Sequence, residues 1–287
     1  YNLSDTETAL IKNVTDIYHA QNKKVIVVLN IGGVIEVASW RDNPDAILLA
    51  WQPGLEGGNA ITDLLSGKVN PSGKLAVTFP VKYDDVPSAK SFPGKEFPEQ
   101  ATNGGMFGMK SIPAEVTYDE GIYVGYRYYN TFNVKPAYEF GYGLSYTHFS
   151  YSNLKLSHSV FNGKIMATLT IKNTGKVAGK EVVELYISAP SKEMKKPSEE
   201  LKGFAKTNLL NPGESQNITF TINARDLASF DTNSASWIAE EGNYTVKIGA
   251  SSTDIKQTAT FKLPKDMTVE KDENVLKPQV TIPDFSK

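Results

Sequence analysis

The sequence predicts an α/β layer followed by an all-β sandwich, on three observations. Over about the first eighty residues, short apolar runs alternate with stretches of helical periodicity. From about residue 150 the period drops to two, with turn signals between the alternating stretches. Between them lies a stretch rich in Pro, Gly and Tyr that has no sustained period.

In the first part, Ser4 and Glu7 stand at capping-box spacing, Ser4 as N-cap and Glu7 reaching back to it. Leu10, Ile11, Val14, Ile17 and Tyr18 then recur at helical spacing, an apolar stripe up to about residue 21. "KVIVVLN" (24–30) is a short continuous apolar run of the kind a buried parallel strand shows, and "AILLAW" (46–51) is a second. A short helix is expected between them at residues 34–40, and a glycine-led helix at 55–66. "KLAVTFP" (74–80) reads as a third strand. Three strands are too few for a doubly wound domain, so residues 1–80 read as part of a larger sheet.

Residues 81–146 read as an ordered crossover or linker. Pro87, Pro93, Pro98 and Pro113, with Gly94, Gly104, Gly105 and Gly108, mark a loop long enough to be functional or disordered. "EGIYVGYRYYNTF" (120–132) and "YEFGYGLSYTHF" (138–149) are dense in Tyr and Gly. Such rings suit a domain interface or a cleft wall, and a well-packed crossover is the plainer alternative.

Residues 147–263 hold "KIMATLTIKN", "EVVELYISAP", "ESQNITFTI" and "GNYTVKIGAS", each alternating apolar with polar. "NTGKVAGK", "NPGE" and "EEGN" supply the turns. This describes a sandwich of immunoglobulin or fibronectin type III kind, and the lack of a cysteine pair favours the latter. Residues 264–287 are charged and proline-punctuated, and are expected to form an extended or mobile appendage.

Composition removes several function classes. At 287 residues the chain can hold about two domains. A formal net charge of −2, with both signs mixed, argues against a binder of nucleic-acid backbones. With no cysteine, disulfides, thiol catalysis and zinc–thiolate sites are excluded. The run "VIVVLNIGGV" (25–34) is broken by Asn30 and two glycines before it reaches membrane-spanning length. "YNLSDTETALIK" has neither an initiator Met nor the apolar segment of a signal peptide, so the chain reads as beginning within something longer. The sequons at Asn13, Asn217 and Asn243 do not decide between a cytoplasmic and a secreted protein.

No catalytic signature stands out. His19, His148 and His158 are scattered without H-x-x-x-H or H-E-x-x-H spacing, so no metal site is expected. There is no G-x-S-x-G elbow, which removes the α/β-hydrolase reading. "NIGGVIE" (30–36) follows a strand but lacks G-x-G-x-x-G spacing, so a dinucleotide loop is not expected. Open α/β sheets gather ligands beyond the carboxyl ends of their strands. Here those ends carry residues 30–33 and 51–56, which makes Asn30, Gln52 and Glu56 the candidate site residues. The competing account is architectural. Gly32, Gly33, Gly54, Gly57 and Gly58 permit close helix–sheet packing, and Glu56 stands near a helix N-terminus, where negative charge is favoured.

The stretch "KKVIVVLNIGGVIEVASWRDNPDAILLAWQPGLEGGNAITDLLSGKVNPSGKLAVTFP" (23–80) closely resembles the second α/β domain of glycoside hydrolase family 3, of the β-glucosidase type. "NPSGKL", "FPG", "YDEGIYVGYRYY", "YEFGYGLSYTHF" and "ELKGFAKTNLLNPGES" continue the resemblance in the same order, up to about residue 263. The resemblance implies an enzyme built as a (β/α)8-type barrel, an α/β sandwich and a fibronectin-like domain. Its aspartate nucleophile lies on the barrel. Its acid/base glutamate lies in an α/β-sandwich loop shortly before the position of Tyr1.

Neither residue is then in this sequence, which is expected to be inactive alone and to need the barrel and the first part of the α/β domain as partner. Asn30, Gln52 and Glu56 would form the wall behind the acid/base loop. The whole would remove a terminal β-linked sugar from an oligosaccharide or aryl glycoside without a cofactor. The alternative from another class is a non-catalytic carbohydrate-binding or scaffold module that has lost the barrel.

Overall fold

The structure, a computed structural model, describes residues 1–103, 110–273, 275, 278 and 280–282. Gly104, Gly105 and Gly108 of the expected loop lie outside the described residues.

Helix α1 (Asp5–His19) opens on the expected capping box. The Glu7 amide donates to Ser4 Oγ at 3.3 Å, and the Ser4 amide donates to the Glu7 carboxylate at 2.8 Å. Its apolar stripe forms but stays largely uncovered: Leu10 is 61% and Ile17 58% exposed, while Ile11 packs on the α/β core. Strands β1 (Ile26–Leu29) and β2 (Ala46–Leu49) pair in parallel, Ile26 opposite Ala46 and Leu29 opposite Leu49.

The helix expected at residues 34–40 does not form. The chain makes turns there, with the Trp40 and Arg41 amides both donating to the Val37 carbonyl. Val34, Ile35 and Val37 are β-branched and follow two glycines. The Glu36 carboxylate accepts from the Ser39 amide and hydroxyl, each at 2.7 Å, a local bonding pattern that competes with helix. Val37 and Trp40 instead plug the core beneath the strands. Helix α2 (Gly57–Leu65) starts at Gly57 rather than residue 55, because the chain first turns through Gly54 in the left-handed region (φ +69).

The third strand expected at residues 74–80 is also absent, and the parallel sheet has two strands among the described residues. The backbone groups of this segment are claimed by the crossover. Leu75 donates to the Tyr142 carbonyl and Phe79 to that of Tyr138, both at 2.8 Å, while Gly141 and Ala137 donate back. The crossover carries short 3-10 turns, two of which begin at Pro87 and Pro98. It also holds β3 (Lys95–Glu96), β4 (Thr102–Asn103), β5 (Lys110–Ser111) and β6 (Ala114–Glu115), with β3 pairing β6 and β4 pairing β5. Helix α3 (Tyr126–Phe132) closes it.

The sandwich contains β7 (Phe149–Leu156), β8 (Lys164–Asn173), β9 (Val182–Ser188), β10 (Glu200–Lys206) and β11 (Ser215–Asn223). After the short α4 (Ala224–Leu227) come β12 (Ser229–Asp231), β13 (Ser236–Ala239), β14 (Gly242–Gly249) and β15 (Ile255–Leu263). One sheet runs β11-β8-β7 and the facing one β10-β9-β14-β15, all antiparallel. Period-two patterning sends Ile165, Ala167, Leu169 and Ile171 inward, none more than 1% exposed. Within the stretch expected to be an appendage, β16 (Met267–Lys271) pairs with β13. Residues 274, 276, 277, 279 and 283–287 of it lie outside the described residues. The architecture is a partial α/β layer followed by a β-sandwich.

Candidate functional site at the carboxyl end of the parallel strands

Because β1 and β2 are adjacent and parallel, the loops that leave them emerge side by side. The pairing continues one step past the strands, where the Ala50 amide donates to the Leu29 carbonyl at 2.9 Å. Trp51 then adopts a left-handed backbone (φ +52), which costs an L-residue about 1–2 kcal/mol. Packing holds it there: its ring meets Phe79 at 6.3 Å, and Phe79 is buried in the core between Trp51 and Tyr138. The turn brings the Gln52 amide over Gly32, so close that a Cβ at Gly32 would stand 3.1 Å from Gln52 Nε2. A third contact shapes the rim, where Pro53 closes on Gly57 and a Cβ there would lie 2.7 Å from the proline ring.

Asn30, Gln52 and Glu56 all sit on this rim and are exposed. No hydrogen bond joins the three side chains among the described residues. Glu56 caps α2 by position without a side-chain bond to its amides, and its carboxylate instead accepts from Asn59 Nδ2 at 2.5 Å. Leu55 beside it projects fully into solvent. The rim is therefore a pre-shaped, strained surface with polar groups facing outward. Exposed apolar side chains also stand on α1 (Leu10, Ile17), on β1 (Ile26, Val28), at the end of α2 (Leu65) and just beyond it (Val69).

His19 does structural work. His19 Nε2 lies 2.8 Å from Asp45, whose carboxylate also takes the Lys24 ammonium and the Val25 amide. Those partners, Lys24 first, hold the Asp45 carboxyl well below its usual range. Among the described residues no cluster of His, Cys, Asp or Glu could hold a metal ion, and no helix is long and apolar enough to cross a membrane.

A second concave feature lies where the crossover meets the sandwich. A cleft of about 570 Å³ is lined by Arg41, Asn130, Lys135, Glu139 and Ser252 among others. Most of its polar groups are engaged in joining the two regions. Asn130 donates to Glu199 at 2.6 Å and to the Ser252 carbonyl at 3.0 Å, and Glu139 accepts from Ser251. Arg41 lies over the Tyr138 ring and donates to the Ala137 carbonyl. The Tyr-rich segments thus pack against the sandwich strands: Tyr126 lies between Phe140 at 5.0 Å and Tyr186 at 5.7 Å, and its hydroxyl accepts from the Leu201 amide.

Pattern reading missed the strained Trp51 and the buried Glu184. Nothing local marks the first. The second had a signal, a lone acid inside the apolar run "VVELYI" (182–187).

Comparison with known proteins agrees with the fold. Residues 1–126 match the glycosyl hydrolase family 3 C-terminal domain, and residues 181–252 match the fibronectin type III-like domain. Beta-glucosidase A of Butyrivibrio fibrisolvens is 38% identical over 96% of this chain and 34% of its own length. The exo-alpha-(1->6)-L-arabinopyranosidase of Bifidobacterium breve is 36% identical over 86% of this chain and 30% of its own length. Among solved structures, beta-glucosidase 3B of Thermotoga neapolitana, in complex with alpha-D-glucose, superposes with a TM-score of 0.84 at 50% identity. That match covers 94% of this chain and 35% of the other. The chain spans about a third of the length of the curated relatives it matches.

Proposed function

We infer the function from one premise: the chain belongs to glycoside hydrolase family 3, whose C-terminal domain and fibronectin type III-like domain it carries in that order. It is the C-terminal portion of a retaining, β-glucosidase-type hydrolase that removes terminal β-linked sugars from oligosaccharides. The observation that carries this reading is the near-complete coverage of this chain by relatives named as β-glucosidases, each about three times its length. A retaining glycosidase needs two carboxyl groups about 5–5.5 Å apart across the scissile bond. In this reading the nucleophilic aspartate comes from a barrel domain and the acid/base glutamate from a preceding loop, both outside this sequence. The aspartate forms the glycosyl-enzyme while the glutamic acid protonates the leaving oxygen. The glutamate then takes a proton from the water that releases the sugar.

The rim at the carboxyl ends of β1 and β2 supports that loop from behind. Asn30, Gln52 and Glu56 orient it and do no chemistry themselves. The exposed apolar faces of α1, β1 and α2 are where the rest of the α/β domain packs. That one relative is named as an arabinopyranosidase supports leaving the sugar open, and in this reading the contacts that choose it lie in the proposed barrel.

The test is an assay on an aryl β-glucoside, with this chain alone and with the complete protein. No turnover above background is expected from the chain alone. Turnover by it would overturn the division of catalytic groups. In the complete protein, Glu56→Gln is expected to lower kcat/KM by roughly tenfold, a loss of about 1.4 kcal/mol in the transition state, with little change in Tm. If Tm falls instead while turnover per folded molecule holds, Glu56 is a helix-start residue worth about 0.3–1 kcal/mol.

A further inference from the structure

Glu184 lies in the middle of β9, surrounded in sequence by apolar residues, and is only 4% exposed. Across its carboxylate runs the segment of residues 139–142. Gly141 (φ +83) passes so close that a Cβ there would stand 2.5 Å from Glu184 Oε2 and 2.8 Å from Ser251 Cα, so only a glycine fits. One edge of this segment is stitched to the α/β region. Gly141 donates to the Leu75 carbonyl, and Leu75 donates to that of Tyr142, both at 2.8 Å. Its other edge is stitched to the sandwich, where Ser252 donates to the Phe140 carbonyl at 2.9 Å and Ser251 Oγ to Glu139 at 2.8 Å. Glu184 sits beneath the seam between the two regions.

The charges around it are unbalanced. Glu181 faces it from its own chain segment and Glu139 from the seam, while Lys74 reaches in from the α/β side and lies 3.4 Å from Glu181. Those two side chains are themselves 14% and 13% exposed, Lys74 named first. The Tyr186 hydroxyl donates to Glu184 at 2.5 Å. Tyr151 of β7 is near Glu184, Glu181 and Asp254, and Tyr126 and Glu199 are near Tyr186. Three carboxyl groups share one nearby ammonium.

We propose that Glu184 is a proton-controlled latch on this seam: protonated, it lets residues 139–142 seat on β9 and hold the α/β region to the sandwich, and ionised, it loosens both sets of stitches. Burial pushes the carboxyl up to about 7, against the Tyr186 hydrogen bond and Lys74, with Glu181 and Glu139 adding to the rise. Once the seam opens, the group returns toward its ordinary value of 4.5. The closed form therefore binds more protons between those values. Closure is strongest below about 4.5, weakens as pH climbs to about 7, and levels off above that.

Backbone hydrogen exchange on the full chain reads this directly. Protection factors corrected for intrinsic rates are followed at the Leu75, Gly141 and Ser252 amides, with Val246 in the sandwich core as internal reference. From about pH 6 to about pH 8 the three seam amides are expected to lose roughly tenfold in protection while Val246 holds. In Glu184→Gln, which keeps the shape but cannot ionise, the seam amides should show no such loss. Flat protection in the wild type, or an unchanged response in the Gln variant, would overturn the latch. Should the variant not fold, carbon-13 titration of the wild-type Glu184 carboxyl decides: a midpoint in the ordinary glutamate range removes the mechanism.

Discussion

The two halves of this chain treat their apolar residues differently. Among the described residues, eighteen buried residues of the sandwich close into one cluster, from Phe161 and Ile165 to Phe261 and Leu263. In the α/β half the corresponding cluster has five, Leu29, Val37, Trp40, Phe79 and Ala137, and one of these comes from the crossover. Meanwhile Leu10, Ile17, Tyr18, Ile26 and Leu55 face solvent. Both halves obey the same patterning rules. The difference is how far each apolar face finds a partner among the described residues: α1, β1 and β2 form on their periodicity with much of their apolar surface open, whereas the sandwich strands close on one another.

The sharpest break of that comparison should come from the Lys196–Glu240 pair, which pins the loop after β9 to the corner before β14. The ion pair is 2.5 Å long with side chains 2% and 4% exposed, and Glu240 also accepts from the Glu193 amide at 2.7 Å. Lys196→Met leaves a buried carboxylate without its cation and is expected to cost about 3–5 kcal/mol by denaturant unfolding. A cost below about 1 kcal/mol would show that water reaches the site.

Next in size, Leu185→Ala on β9, 1% exposed, is expected to cost about 2–5 kcal/mol. The same truncation at Leu10, 61% exposed, should stay within about 0.5 kcal/mol. Equal costs would mean that α1 is covered in solution. Exchange protection should follow suit, high across β8, β9 and β14 and low across β1 and β2. Uniformly strong protection from Lys24 to Phe79 would erase the contrast.

Smaller effects refine the α/β half. Ser4→Ala removes the α1 cap and should cost about 1 kcal/mol. The smallest is expected at Asp45, whose carboxyl is held low by Lys24, the Val25 amide and His19. A depressed acid stabilises the fold above its ordinary value of 3.8 and loses that contribution as pH falls below it. Acid titration should therefore loosen the Val25 amide before the sandwich responds, and Asp45→Asn should remove that early step.

Local signals were legible where neighbours in sequence are also neighbours in space. The α1 capping box and the alternation of β8 formed as their residues predict, because the cap bonds span three positions and a strand's two faces are set by alternation along its own length. The nearness of residues 30–33 to residues 51–56 was legible from a different rule: two apolar runs that pair in parallel release their loops side by side. Residues 34–40 and 74–80 misled because each satisfied a pattern whose bonding partner was chosen elsewhere. Glu36 drew Ser39 into a turn, and the backbone of residues 75–79 was taken by residues 137–142.

By itself the sequence determined the α/β-then-sandwich order and the faces that must be buried, since those follow from side-chain period. The tertiary structure alone decided which chain segment covers which face, the left-handed turn at Trp51, and the placement of Glu184 under Gly141. These depend on contacts between residues tens of positions apart. Such contacts leave no periodic trace, because a packing partner is selected by shape and charge in space rather than by spacing along the chain.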